Sequence, residues 1–149
     1  MPIKSFRGKL ITTAAVGVVS DIIPLSTNNG STGYRIKKFE LMGSNGNEVY
    51  ESVVEIHTIN KDTTGIIDFD DNTLLAAGIY QDSSTNGILA DSQIIFDNLT
   101  FNQDIYISYI ESGGATTGIN YHIELEQMKL DLSENTVATL KDIRNIASQ

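Results

Sequence analysis

The chain has 149 residues and a mass of 16.3 kDa, with 10 Lys and Arg against 19 Asp and Glu, a net charge of −9. This length predicts one domain, the acidic balance argues against a nucleic-acid partner, and no apolar run is long enough to span a membrane. The absence of cysteine excludes disulfides, cysteine-ligated zinc and a cysteine nucleophile. The 20 Ile, 7 Val and 14 Thr against 8 Ala favour strands over helices, so we expect an all-β fold.

The N-terminal segment, residues 3–11, is basic in an otherwise acidic chain. Lys4, Arg7 and Lys9 flank Phe6, which could serve as an apolar anchor between charges. A terminal strand at a sheet edge can also add backbone hydrogen bonds to a partner's sheet. We therefore consider this segment a docking element, with a frayed terminus as the alternative.

Alternation identifies the clearest strands further along the chain. Residues 33–42 change parity in the middle, which predicts a β-bulge near Lys37 and Lys38. Apolar and polar side chains alternate in residues 48–60, which places His57 on the polar face. They also alternate in residues 119–127, where the odd-numbered positions from 119 to 125 are expected to face inward. Shorter β-rich runs include residues 65–69. Eight to ten strands at this spacing predict an antiparallel β-sandwich.

The last 17 residues have helical spacing. Ser133 can cap a helix whose apolar stripe contains Val137, Leu140 and Ile143. This short amphipathic helix could dock in a groove of a neighbour or cover its own sheet. We expect residues 1–132 to form the β-sandwich and residues 133–149 the helix and tail of the same single domain.

The sequence contains few patterns that indicate chemistry. Asp68, Asp70 and Asn72 are the most metal-like group, but the spacing fails the EF-hand pattern, and a solvated turn is the main alternative. His57 and His122 could converge on a metal if their strands were neighbours, although exposed polar positions are the simpler interpretation. Because no nucleophile elbow or phosphate-binding loop occurs, we expect no cofactor and no enzymatic activity.

Apolar residues are dense in the middle of the chain, which predicts self-association, with a trimer as the expected homo-oligomer. The residues concerned are Ile66, Ile67, Leu74, Leu75, Ile79, Ile88, Leu89, Ile94 and Ile95.

Four stretches carry a resemblance to a family of small, uncharacterised proteins encoded by marine tailed bacteriophages. They are residues 3–9 (IKSFRGK), 27–36 (TNNGSTGYRI), 96–107 (FDNLTFNQDIYI) and 124–146, which begins ELEQ. The resemblance implies a virion structural protein, made in the host cytoplasm and present in the phage particle. Size and fold class then favour a jelly-roll head decoration or cement protein bound to the major capsid protein or another virion protein. A neck, tail or fibre component and a glycan-binding module on the virion are the alternatives.

Overall fold

A computed structural model describes residues 2–12, 17–25, 31–83, 88–96 and 99–130. These residues contain eight β-strands and no helix, which confirms the predicted all-β class. The strands in chain order are β1 (Ile3–Leu10), β2 (Gly17–Ile23), β3 (Thr32–Gly43), β4 (Tyr50–His57), β5 (Leu74–Ser83), β6 (Ile88–Ile95), β7 (Ile105–Glu111) and β8 (Ile119–Lys129).

The strands form two antiparallel sheets that pack face to face. One sheet has three strands in the order β1-β8-β3, and the other has five in the order β2-β7-β4-β5-β6. Buried side chains from both sheets form one apolar core, to which Ile36 and Ile123 contribute from one side and Val54 and Ile107 from the other. The predicted antiparallel sandwich is confirmed.

Strand β8 lies at the centre of the three-stranded sheet and follows the predicted alternation. Ile119, Ile123 and Leu125 are fully buried, and Tyr121 is half-buried against the same core. Because successive side chains of a strand point to opposite faces, the even-numbered positions face outward. The interpretation of this strand's parity is correct.

The bulge predicted in β3 is also present. Pairing with β8 moves from Ile36 opposite Leu125 directly to Lys38 opposite Glu124, so Lys37 is the extra residue. One additional residue reverses the parity of a strand. The bulge therefore lets residues on both sides of it, including Phe39, face the core.

Residues 65–69 do not form the strand expected from their β-branched content. They belong to a long loop, residues 58–73, in which Gly65 has a φ of 87° that favours glycine. The loop packs against the outer face of the five-stranded sheet, where the Thr63 backbone N–H donates a 3.1 Å hydrogen bond to Ser108 Oγ. It covers polar side chains of β4 that would otherwise be exposed.

The predicted C-terminal helix, with Val137, Leu140 and Ile143, lies outside the described residues. Within the described ranges, the structure has no apolar helix of the length needed to cross a bilayer.

Candidate functional site

The outward-pointing residues of β1, β8 and β3 form a surface that we call the charged face. The two outer strands of this sheet, β1 and β3, hold six of the chain's ten Lys and Arg residues. Strand β8 contributes Glu124 and Glu126 between them. Most of the basic side chains of this sheet thus come from its two outer strands, while two of its acids, Glu124 and Glu126, come from the central strand.

Several charges on this face are paired, within a strand or between neighbouring strands. Arg35 contacts Glu126 with its Nη2 atom 2.7 Å from Oε1, and its Nε–H donates a second hydrogen bond to the same oxygen. Glu40 lies within 3.5 Å of Lys38 Nζ and 3.6 Å of His122 Nδ1. Exposed pairs of this kind contribute little stability, so they mainly fix the charge pattern of the surface.

Arg7 and Lys9 differ from these paired cations. Both are exposed, and among the described residues neither forms a salt bridge. Strand pairing places Arg7 directly opposite His122 and Lys9 directly opposite Asn120, so neither cation has a carboxylate as its cross-strand partner. Their charges are therefore available to an approaching partner.

The other two predicted docking residues of β1 point to the opposite face. Phe6 is half-buried and packs against the core. The Nζ atom of Lys4 donates a 3.5 Å hydrogen bond to the Leu25 carbonyl and lies 5.4 Å from the centre of the Tyr34 ring. The alternative of a frayed terminus does not hold, because β1 pairs with β8 along its whole length. Phe6 stabilises the protein's own core and is not an exposed anchor.

A groove of about 800 Å³ lies on the charged face beside β6. Residues of four strands line it, and most of its side chains are polar. Its charged members are Arg7, Lys9, Glu40 and Asp91, and its other side chains include His122, Asn120, Gln93, Tyr121 and Met42.

The outer face of the five-stranded sheet is different. Of the apolar residues from which self-association was predicted, Ile66, Ile79 and Ile94 are exposed. Leu74 and Leu75 are buried, which excludes them from any surface and corrects that part of the prediction. Ile67 and Ile95 are half-buried, and the side chains at positions 88 and 89 lie outside the described set.

A polar cluster is buried between this sheet and the loop 58–73. It contains Glu55 and His57 from β4, which are 4% and 1% exposed, together with Asp71 and Lys61 from the loop. His57 Nε2 lies 3.7 Å from Glu55 Oε2 and 3.6 Å from Asp71 Oδ2, while Lys61 Nζ lies 2.5 Å from Asp71 Oδ2. The expectation that His57 is exposed is wrong because the loop folds over it.

Burial determines how these groups titrate. It lowers the pKa of His57 to about 4, although Asp71 acts in the opposite direction. Burial also raises the pKa of Glu55. For Asp71, burial alone would raise the pKa, but hydrogen bonds from Lys61 and Thr73 together lower it to about 2. At neutral pH the cluster therefore holds a neutral His57 imidazole beside the Asp71 carboxylate.

The structure does not bring together the metal ligands considered from the sequence. His57 and His122 lie in different sheets, and His122 instead approaches Glu40. Asp68, Asp70 and Asn72 lie in an exposed turn, where Asp68 Oδ1 accepts a 2.9 Å hydrogen bond from the Asp70 backbone N–H. In the part of the chain described, no group of three or more His, Asp or Glu residues is arranged to hold a metal ion.

Glu111 is a buried carboxylate that the sequence analysis missed. It accepts hydrogen bonds from Ser52 and Tyr109 hydroxyls at 2.5 and 2.7 Å and from the Glu51 and Gly113 backbone N–H groups at 2.8 and 2.9 Å. Four donors compensate a fully buried acid, so its role is structural. The only sequence signal is an acid at an inward position of an apolar strand.

In comparisons with known proteins, no family model and no curated protein matches the chain.

Proposed function

We propose that the protein is a non-enzymatic structural component of a phage particle, a capsid decoration or cement protein that stabilises the head by binding the shell. The observation that carries this proposal is the presence of two unlike exposed faces on opposite sides of one sandwich. The charged face offers Arg7 and Lys9 to a partner, and the other face offers Ile66, Ile79 and Ile94 to a second contact. The resemblance to small phage proteins suggests that the first partner is the major capsid protein or another virion protein.

The charges of β1 suit electrostatic docking. Arg7 and Lys9 project from the outer strand of a sheet, where few neighbouring atoms restrict access. Complementary charge speeds association and fixes orientation more than it adds affinity. Salt screens such contacts over about 8–10 Å, so docking should weaken as ionic strength rises.

The strand order supports a jelly-roll fold within this proposal. Strands β1 and β8, β2 and β7, and β4 and β5 are hydrogen-bonded pairs, as expected when one long hairpin is rolled into two sheets. In such a roll β6 would pair with β3; here β6 packs against β3 while it pairs with β5. Jelly rolls recur in viral capsid proteins, which is an analogy at the level of fold.

The copy number in purified particles tests the proposal. Mass spectrometry of intact virions should find this chain in a fixed ratio to the shell protein. A few copies per particle would instead favour the neck, tail or fibre alternative. Absence from particles would overturn a virion role altogether.

Charge reversal tests the docking face. The double substitution Arg7→Glu and Lys9→Glu should leave the domain folded but abolish binding to particles that lack the protein. Lys37→Glu with Lys129→Glu is the matched control, since it changes the net charge equally at exposed positions outside the groove. Lys4 is left unchanged because it contacts Leu25 and Tyr34 inside the fold. Equal loss of binding in both variants would show that only total charge matters.

The groove on the charged face favours glycan binding on the virion as a second candidate function. Side chains with planar polar groups, such as Asn120 and Gln93, can hydrogen-bond sugar hydroxyls, and Arg7 and Lys9 would prefer an acidic sugar. NMR titration with glucuronic acid and with glucose should then shift resonances of the groove for the acid alone. No shift with either sugar would exclude this second function.

A further inference from the structure

The turn that joins β3 to β4, residues 44–49, contains an asparagine followed by a glycine, Asn45–Gly46. The sequence has two more such pairs, Asn29–Gly30 and Asn86–Gly87, and both lie outside the described residues. An asparagine side-chain amide and the backbone nitrogen of the next residue belong to one chain, so they can react with each other by closing a five-membered ring. Glycine hinders this reaction least, because it has no side chain and the freest backbone.

The backbone nitrogen of Gly46 is accessible for such a reaction. Gly46 is exposed, and among the described residues its N–H donates no hydrogen bond. A backbone N–H that is paired in a sheet must first give up its hydrogen bond, whereas this one has none to break. A Cβ placed on Gly46 would meet no atom within 4 Å, so there is room for a ring to close.

A hydrogen bond polarises the side-chain carbonyl of Asn45. Its Oδ1 atom accepts a 2.9 Å hydrogen bond from the Asn47 backbone N–H. Negative charge develops on this oxygen when a nucleophile adds to Cγ, and a donor that already points at the oxygen stabilises that charge. Two further bonds fix the turn, since the Asn45 N–H donates to the Tyr50 hydroxyl and the Glu48 N–H donates to the Asn45 carbonyl, both at 3.3 Å. The turn therefore holds the amide beside its donor and leaves the Gly46 N–H unused.

We propose that Asn45 is a site of spontaneous deamidation, at which the folded protein converts the asparagine to aspartate and isoaspartate. Hydroxide removes the Gly46 N–H proton, and the nitrogen attacks Asn45 Cγ to form a succinimide ring. The Cγ–Nδ2 bond breaks, and the leaving nitrogen takes a proton from water and departs as ammonia. Water then opens the ring at either carbonyl, which restores the original backbone in aspartate or lengthens it in isoaspartate. Each conversion adds one negative charge to the turn.

Mass spectrometry of the full native chain tests this inference, which is independent of the proposed virion role. Tryptic digestion after incubation in mildly alkaline buffer releases residues 39–61 as one peptide, with Asn45, Asn47 and Asn60 inside it. Relative to a sample digested at the start, position 45 should gain the mass difference between an amide and a carboxyl group, while the other two positions keep their amides. The proposal is overturned if all three asparagines convert equally slowly. It is also overturned if position 45 keeps its amide in the folded protein but loses it in guanidinium chloride.

Gly46→Ala tests the role of the glycine nitrogen. This variant keeps Asn45 and should fold, since the added methyl group enters open space and the φ of Gly46 lies outside the left-handed region. The methyl group crowds the nitrogen and restricts its backbone, so conversion at position 45 should slow about tenfold, equal to about 1.4 kcal/mol of activation free energy. Asn47→Ala is the matched control in the same turn, because it keeps the backbone N–H that donates to Asn45 and should convert at the native rate. A native rate in Gly46→Ala would refute the proposed attack.

Discussion

Acidification should lower the free energy of unfolding, because His57 is buried in its neutral form. Its imidazole is 1% exposed, and burial lowers its pKa from 6.5 to about 4 in the folded protein. The imidazole of His57 therefore binds a proton more readily in the unfolded chain than in the folded protein. The stability that is present above pH 6.5 is lost as the pH falls to about 4. A shift of about 2.5 pKa units corresponds to about 3 kcal/mol of unfolding free energy by pH 4.

Two neighbouring carboxyl groups, those of Glu55 and Asp71, also change the stability with pH, and their contributions must be separated from that of His57. The pKa of Glu55 is raised, so its protonation favours the folded state and opposes the loss due to His57. The pKa of Asp71 is lowered to about 2, so its contribution is lost only below its ordinary value of 3.8. A comparison of variants isolates His57, because both carboxyl groups remain in each protein.

Urea unfolding at a series of pH values between neutrality and pH 4 provides the measurement. The native protein should lose about 3 kcal/mol more than His57→Gln over this range. His122→Gln is the matched control, because His122 is the only other histidine and lies half-exposed on the charged face. If the native protein and His57→Gln lose stability in parallel, the buried, neutral state of His57 would be refuted.

Three further substitutions, two of them paired with a matched control variant, probe the fold. Ile123→Asp places a carboxylate in the core and should cost about 4 kcal/mol or more in chemical unfolding, whereas His122→Ala on the adjacent outward position should be almost silent. Gly118→Ala should lower the free energy of unfolding by several kcal/mol, because Gly118 has a φ of 90° and an added Cβ would lie 2.5 Å from a backbone carbonyl oxygen. Its control is Gly114→Ala, which has a similar φ but open space around the added Cβ, and which should cost about 1 kcal/mol in thermal melts. Glu111→Gln should lose about 3 kcal/mol in urea, since an amide nitrogen would face existing donors; an unchanged midpoint would contradict the four hydrogen bonds.

The sequence predicted the parts of the fold that depend on local periodicity. Strand β8 keeps its alternation because one face of the strand packs on the core and the other faces water. The bulge at Lys37 was predictable for the same reason, since two inward sets of opposite parity need an extra residue between them. Both are properties of a single strand and its period.

The candidate surfaces were less predictable because they depend on contacts between distant segments. His57 looked exposed on its strand, but the loop 58–73 covers it, and no periodic pattern encodes where a loop folds back. Phe6 looked like an anchor between charges, yet pairing of β1 with β8 turns it inward. The lack of a salt bridge to Arg7 or Lys9 within the described part of the chain likewise follows from which strands become neighbours.

The pairing of β1 with β8 joins the first and last strands of the described fold. Among the described strands, β1 is hydrogen-bonded only to β8, so a nascent β1 has no strand partner until β8 has been synthesised. Contacts between such distant segments are slow to form, and an unpaired strand can aggregate meanwhile. Charged residues on a strand discourage pairing with other chains. The three basic residues of β1, which are Lys4, Arg7 and Lys9, are of the kind that discourages such pairing while β8 is still missing.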